Sequence, residues 1–493
     1  MLALCLTILT IGFCTLVHRY LHWSRRGIKQ YPFWKIWLNN IRDFITQPPL
    51  TDAMVRARED FKNARYIGTY QNFKPRLCIE DPELIKHVFV KDFDYFVDHN
   101  VFLPYDGDTV WEKSLFNLKG DDWKQLRGFV SPTFTSSKIK LMFHTILECS
   151  AQVVASLKKS GKEIVEFDVK ELFGRLTTDV FFGTHFGILC NSVEEQTNEF
   201  YTIGQKATNF LGFWLKVRFI VIQVFPIVAR VFGLRIFDQN VTNFFRLLVK
   251  NNIKSRKSQQ IARPDLIGII MKSENNPDNI ELTDEILTAL VATFFGAGFD
   301  TVSSALMYTF YELSCNSVVQ QKLLDEIDAN KDNFTYQTVM EMQYLNMVVS
   351  ETLRKWPVGF FLERQCVKPY RIPALKDDEV EVQLKVGDGI WVPLYALHRD
   401  PELFSDPDRF DPERFNPENK KNINQYAYMP FGNGPRGCIG SRYALLVLKV
   451  AIFQILQSFS VRPSKNMLPL QIARSYLQLL PKDKMLLDFR RRN

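Results

Sequence analysis

The sequence predicts a mainly α-helical protein with a small β portion, built as one large domain behind an N-terminal membrane-anchor helix. Three observations predict this. From about residue 120 to residue 350 the hydrophobic patterns are mainly helical. Two short β signals precede them, ARYIGTYQ at 64–71 and PRLCIED at 75–81, where β-branched and aromatic residues lie between turn formers. From Met1 to Val17 there is no charged side chain.

That apolar run of 17 residues is at the short limit for crossing a bilayer. His18, Arg19, Tyr20 and Trp23 follow, then Arg25, Arg26 and Lys29. A cleaved signal peptide carries its positive charges before the apolar run, and here they come after it. The segment therefore reads as an uncleaved anchor over 1–23, with Tyr20 and Trp23 at the interface and the remaining chain in the cytosol. A basic and proline-containing linker is expected over 24–50, ending in TQPPL, and the main domain over 51–493. The stretch 209–234 is interrupted by Lys216, Arg218 and Arg230 and broken by Pro226. Its longest uncharged run, Phe219–Ala229, has 11 residues, too few to span. It reads either as a buried helical hairpin or as a peripheral membrane contact.

A helix is expected from Thr283 to Cys315. Thr283 is placed to cap it, and Asp284 and Glu285 in the first turn suit its dipole. Its length of about 48 Å is enough to cross a whole domain. Its middle reads FFGAGFDTVSS, where Gly296 and Gly298 cost about 1 kcal/mol each against alanine. Polar Asp300 and Thr301 stand there in an otherwise apolar stretch, which marks a spot where something other than side chains approaches. Close helix packing at the glycines, with Asp300 on a wet face, is the plainer alternative. A second helix over 338–355 carries Glu351 and Arg354 on one face and stops before Pro357.

Composition limits the functions. The net charge of +8 is small for 493 residues and does not indicate nucleic acid, although it leaves room for a basic patch facing an acidic protein or a membrane. The eight cysteines are scattered without C-x-x-C spacing, so they read as reduced thiols rather than a zinc ribbon or disulfide framework. Phenylalanine is abundant, at 41 residues, which suits a large apolar interior or pocket.

The stretch FGNGPRGCIG at 431–440 places Cys438 among close glycines, Pro435 and Arg436, just before the helical run SRYALLVLKVAIFQIL. Gly434, Gly437 and Gly440 give the main chain freedom to bulge against a flat ligand. A sulfur at a helix N-terminus is favoured as thiolate. A nucleophilic cysteine would want a histidine base, and His398, the nearest in sequence, is 40 residues away and reads as a structural loop residue. Zinc or an iron–sulfur cluster would want further soft ligands, which Cys438 lacks nearby. A metal carried in its own macrocycle needs one protein ligand, and haem with a cysteine fits.

At this point the chain resembles the cytochromes P450, the haem-thiolate monooxygenases. The pattern F-x-x-G-x-R-x-C-x-G is met by Phe431, Gly434, Arg436, Cys438 and Gly440, with Ala444 after it. Trp123 and Arg127 (W-x-x-x-R), AGFDT at 297–301, ETLR at 351–354, Arg364 in FFLERQC and DPERF at 411–415 extend the resemblance along essentially the whole chain. It implies Cys438 as the axial ligand of haem b, with Phe431 packed against the sulfur. Trp123, Arg127, Arg364 and Arg436 would pair with the haem propionates, and Glu351, Arg354 and Arg414 would form a structural triad behind the haem. Ala297 and Gly298 would line the oxygen-side groove, and Asp300 and Thr301 would relay protons during oxygen activation. Val302 departs from the family pattern, which usually has a second hydroxyl residue there.

Within the family the resemblance is to the animal microsomal branch, closest to insect detoxification-type members. It implies an endoplasmic reticulum protein that oxidises a lipophilic small molecule. Electrons would come from NADPH indirectly, through a flavoprotein reductase and in some cases cytochrome b5. Lys124, Arg442, Lys449, Lys420 and Lys421 could form a basic face for that acidic partner. The rival readings are a haem-thiolate isomerase or dehydratase, which typically lacks the acid–alcohol pair, and a non-catalytic haem-binding protein.

Overall fold

The protein was analysed as a computed structural model. It describes every residue except 1–9, 11, 13, 16, 47, 72–73, 101–105, 209–216, 220, 223–224, 274–281, 476–477 and 493. Helix accounts for 57% of the chain and strand for 10%, the mainly α class expected. Nine strands are defined among the described residues: β1 (Tyr66–Gln71), β2 (Lys74–Ile79), β3 (Ile164–Asp168), β4 (Leu362–Gln365), β5 (Tyr370–Ile372), β6 (Val382–Leu384), β7 (Gly389–Val392), β8 (Phe459–Pro463) and β9 (Leu486–Arg491).

The chain divides into two compact units. The first contains 1–102, 359–405 and 424–437, and the second 103–358, 406–423 and 438–493. In the first, a sheet in the order β1-β2-β7-β4 is antiparallel except for the β2–β7 pair, and β5 and β6 form a separate hairpin. Its core gathers Leu77, Ile79, Ile85, Phe89, Phe96, Ile390 and Val392 with Trp23. Trp23 is 1% exposed and donates its indole N–H to the Thr69 carbonyl at 3.2 Å. Tyr20 is also buried, its ring 4.8 Å from that of Tyr70. Both were expected at a membrane interface. They are core residues instead, because the rings recover more by packing on the sheet than by lying in water. The rest of the expected anchor falls mainly outside the described residues. Within the expected linker, Phe33–Thr46 forms helix α1, so the folded body starts well before residue 51.

The second unit is helical, with one small sheet in the order β3-β9-β8. Its helices include α2 (Gly120–Val130), α3 (Ser136–Lys159), α4 (Val169–Phe186), α5 (Pro226–Val231), α6 (Gln239–Gln259), α7 (Asp284–Cys315), α8 (Tyr336–Glu341), α9 (Gln343–Lys355) and α10 (Ser441–Ser458). The long helix α7 begins where the sequence placed it, with the Thr283 hydroxyl accepting the Ile286 N–H at 3.3 Å. It packs most extensively on α4 and α6. The helix expected over 338–355 is divided at Met342. The Glu326 carboxylate accepts the Tyr344 and Leu345 N–H groups, each at 2.8 Å, and so caps α9 as a new start.

Replacing Trp23 with alanine is expected to lower stability by about 3–5 kcal/mol, the usual cost of deleting a buried Trp ring. The measurement is denaturant unfolding of the first unit's signal. An unchanged midpoint would mean that residues 20–28 are not part of the fold.

Candidate functional site

The 431–440 loop is held by backbone geometry at its start. Gly432 and Gly434 have φ of +69° and +71°, and a Cβ on Gly434 would lie 1.9 Å from the Phe89 carbonyl oxygen. Gly437 and Gly440 do not use the left-handed region, so the freedom expected at all three glycines is concentrated at 432 and 434. Residues to Gly437 belong to the first unit, and Cys438 begins the second unit's last segment.

Cys438 lies three residues before α10. Its side chain is reachable by solvent yet crowded by protein, and burial raises its pKa above the ordinary thiol value. The Gly440 N–H and the Arg127 guanidinium oppose that rise without overcoming it. The dipole-favoured thiolate expected from sequence is therefore not reached by protein groups alone. Arg127 shares a face of α2 with Trp123, four residues before it and buried.

In the middle of α7, Ala297 is exposed, and Phe294, Gly298 and Thr301 are partly exposed, while Phe295, Phe299, Asp300 and Val302 are buried. The spacing 294, 297, 298, 301 is one helical stripe. The Thr301 hydroxyl donates to the Ala297 carbonyl on that stripe. Asp300 points away from it. It is 6% exposed, hydrogen-bonded to the Gln478 side chain and within electrostatic reach of Lys170 on α4. Burial pushes its pKa up to about 6, against the smaller opposing effects of Lys170 and Gln478. Lys170 and Gln478 carried no sequence signal, because their roles come only from tertiary placement.

Glu351 and Arg354 on α9 are both fully buried. Arg354 donates from Nε and Nη2 to the two Glu351 oxygens at 2.7 and 2.8 Å. Arg414 approaches Glu351 Oε1 at 3.4 Å, and the Asp411 N–H donates to the same oxygen at 2.9 Å. The pair that sequence alone could leave on a solvated face is thus a buried ionic knot joining α9 to the 406–414 segment.

In the first unit, Arg364 is 2% exposed, and its Nε finds no hydrogen-bond partner among the described residues. Its Nη1 lies 3.4 Å from His99 Nδ1 and donates to the Glu363 carbonyl at 2.7 Å. Burial lowers the Arg364 pKa to about 9. Arg436 donates from Nε to the Val97 carbonyl at 2.9 Å and lies 3.7 Å from Asp98. His99, which the sequence reading missed, is held neutral first by burial and then by Arg364 and Arg436. His398 is fully buried and accepts the Met429 N–H at 3.3 Å, the structural role expected.

Each unit carries part of the chemistry that a flat apolar group, edged with carboxylates and held by one sulfur, would need. In the first unit a buried arginine whose Nε has no partner among the described residues calls for an anion; in the second, Cys438 is a soft donor reachable from outside, and Ala297, Gly298 and Thr301 give the α7 stripe small side chains beyond Phe294. The class defined by this fold and these residues is a haem-thiolate monooxygenase. The family model for cytochrome P450 matches residues 30–489. The chain is 38% identical to cytochrome P450 9e2 of Blattella germanica, over 84% of this chain and 83% of that one. It is 34% identical to probable cytochrome P450 6a13 of Drosophila melanogaster, over 96% of each chain. It is 35% identical to cytochrome P450 3A9 of Rattus norvegicus, over 86% and 84%. The chain belongs to the cytochrome P450 family, whose cofactor is thiolate-ligated haem b.

Removing the Glu351 carboxylate by Glu351→Ala leaves Arg354 charged and buried without its anion, expected to cost about 3–5 kcal/mol. The yield of folded, haem-loaded protein and its unfolding midpoint would report this. A midpoint within about 1 kcal/mol of the parent would mean that the knot does not hold α9 in place.

Proposed function

We propose that the protein is a membrane-bound monooxygenase in which Cys438 supplies the haem thiolate. It inserts one oxygen atom from O2 into a lipophilic small molecule, with electrons from an NADPH-dependent flavoprotein reductase. The overall reaction is RH + O2 + 2e− + 2H+ → ROH + H2O. The observation that carries the reading is the accessible Cys438 sulfur, set by the glycine-shaped loop just before α10 and receiving the Gly440 N–H.

Haem, when bound, supplies oxygen activation; the chain's own groups hold it and manage protons. Phe431 would shield the sulfur, and Trp123, Arg127, Arg364 and Arg436 would pair with the haem's carboxylates. The Glu351–Arg354–Arg414 knot supports the fold behind the thiolate. Ala297 and Gly298 keep the α7 stripe open. Asp300 stores a proton on the far side of the helix, and Thr301 presents a hydroxyl on the stripe, with its own hydrogen parked on Ala297. Retention of this acid–alcohol pair favours monooxygenation over isomerase or dehydratase chemistry.

The membrane reading rests on the uncharged N-terminal run and on two exposed apolar faces. On α1, Trp34, Trp37, Leu38 and Ile41 are exposed at helical spacing. On and beside α5, Phe225, Ile227, Val228, Val231 and Phe232 are exposed, which supports the peripheral contact expected in 209–234. For the reductase, Lys124, Arg442, Lys420 and Lys421 remain as exposed cations of the second unit. Lys449 drops out. It is 4% exposed, its ammonium donates to the Met340 carbonyl at 3.1 Å, and burial lowers its pKa to about 8.

The reduced, haem-loaded protein is expected to show the red-shifted carbon monoxide band of thiolate-ligated haem, lost in Cys438→Ser. A band at the imidazole position, unchanged in that variant, would end the reading. Asp300 holds its proton below about pH 6 and loses it above. A relay donating from Asp300 therefore delivers less product per NADPH as pH rises from 6 to 8. In Asp300→Asn that pH step disappears and product per NADPH falls on the order of 10²-fold, with peroxide rising instead. Unchanged stoichiometry in the variant would place the proton source elsewhere.

A further inference from the structure

The sheet of the first unit carries a polar cluster that the haem-binding reading leaves unused. Arg76 on β2 is paired with Gly389 on β7, and Glu363 on β4 is paired with Trp391 on β7. Paired residues, and residues two apart, share a face, so Arg76, Gly389, Trp391 and Glu363 project together. Arg364, one residue on, projects from the opposite face. A Cβ on Gly389 would sit 1.9 Å from Asn100 Nδ2 and 2.2 Å from Arg76 Nη1. Only a glycine lets both side chains cross that point.

Arg76, Asn100 and Glu363 are 7%, 7% and 4% exposed. Yet Arg76 Nε, Asn100 Nδ2, Glu363 Oε2 and Trp391 Nε1 are buried atoms without a hydrogen-bond partner among the described residues. Each such atom costs about 1–3 kcal/mol, more for charged groups. Four together do not make a core; they make a site that needs a polar occupant. Three of the four are N–H donors, and one of these belongs to a cation. Burial also pushes the Glu363 pKa up to about 8, against the opposing pull of Arg76 and Arg364, and in its protonated form the carboxyl is a fourth donor. The missing partner is an acceptor with negative charge. Beside it the Phe361 ring packs on Trp391 at 4.9 Å and on Phe360 at 5.2 Å, giving the polar cluster an apolar wall.

We propose that Arg76, Asn100, Trp391 and Glu363 form a carboxylate-binding subsite for a lipophilic acid, whose tail lies along Phe361. This deepens the monooxygenase reading, on which it rests, by naming a substrate class. The shared chemistry is a carboxylate, and a propionate of the haem itself is the other source to separate from it.

The test is calorimetric titration of the full-length, haem-loaded protein with dodecanoate and with dodecan-1-ol, alongside the haem spin-state change. The parent protein is expected to bind the acid at least about tenfold more tightly than the alcohol, the range of a charge-assisted hydrogen bond. Arg76→Met should bring that ratio to about one while leaving alcohol binding and haem content as in the parent. Asn100→Asp, which adds a repelling charge with almost no change of shape, should do the same and serves if the arginine variant does not fold. No preference for the acid in the parent, or an equal preference in both variants, would overturn the proposal. Loss of haem in either variant with the acid preference intact would also overturn it, assigning the cluster to a propionate. A parent that binds the acid selectively but gives no oxygen- and NADPH-dependent product would count against the monooxygenase reading and not against this subsite.

Discussion

A helix of 32 residues that is buried along most of its length has to satisfy its backbone while leaving one stripe uncovered. That constraint on α7 organises the second unit. Phe295 and Phe299 are packed by Phe181, Phe182, Phe245 and Tyr201 from neighbouring helices, so their side of α7 is closed by rings. The side of Ala297, Gly298 and Thr301 is left to small residues. In this span three backbone carbonyls receive side-chain hydroxyls: Ala297 from Thr301, Phe299 from Thr177 on α4 at 3.0 Å, and Asp300 from Ser303 at 3.2 Å. Such bonds compete with the helical ladder and recur along α7, at Thr288, Thr293, Thr309 and Ser314 as well.

The second theme is the cost of buried charge and how locally it is met. Glu351 answers Arg354 and Arg414 within a few residues of contact, giving a knot closed on itself. Arg364 is left with an unpartnered Nε and a lowered pKa, and the same holds in kind for Arg76 across the sheet. The difference separates supporting residues from binding ones. A closed knot stabilises the fold whatever is bound, whereas an arginine near Glu363 whose Nε still lacks a hydrogen-bond partner keeps a donor for an arriving anion. Lys449 belongs with the first group despite its charge, since its ammonium is spent on the Met340 carbonyl.

Much of this was legible in the sequence because it is local. The Cys438 loop, the Thr283 cap, the extent of α7 and the Glu351–Arg354 spacing all depend on residues within a few positions of one another. What was not legible depends on distant partners. Trp23 resembles an interfacial anchor until Thr69 and the β1–β2 sheet are placed against it. The break at Met342 needs the Glu326 carboxylate from another helix, and Lys449 looks like a surface cation until α8 covers it. His99 and Gln478 could not be singled out at all, because nothing in their neighbourhoods in sequence foretells Arg364 or Asp300.

Asp300 and Thr301 are adjacent in sequence but separated by about 100° around the helix. The two halves of the proposed relay therefore face different surroundings. The acid is buried with Gln478 and Lys170, while the hydroxyl stands on the accessible stripe. A proton stored on Asp300 has to pass around the helix, not along a straight line of side chains. Val302, which has no hydroxyl and is buried, does not help it. Ser303 already donates to the Asp300 carbonyl, and Thr301 donates to that of Ala297. Release of the Thr301 hydroxyl from Ala297 is thus the movement that would connect them. The small side chain at 297 leaves room for it, which ties the openness of the groove to the delivery of the proton.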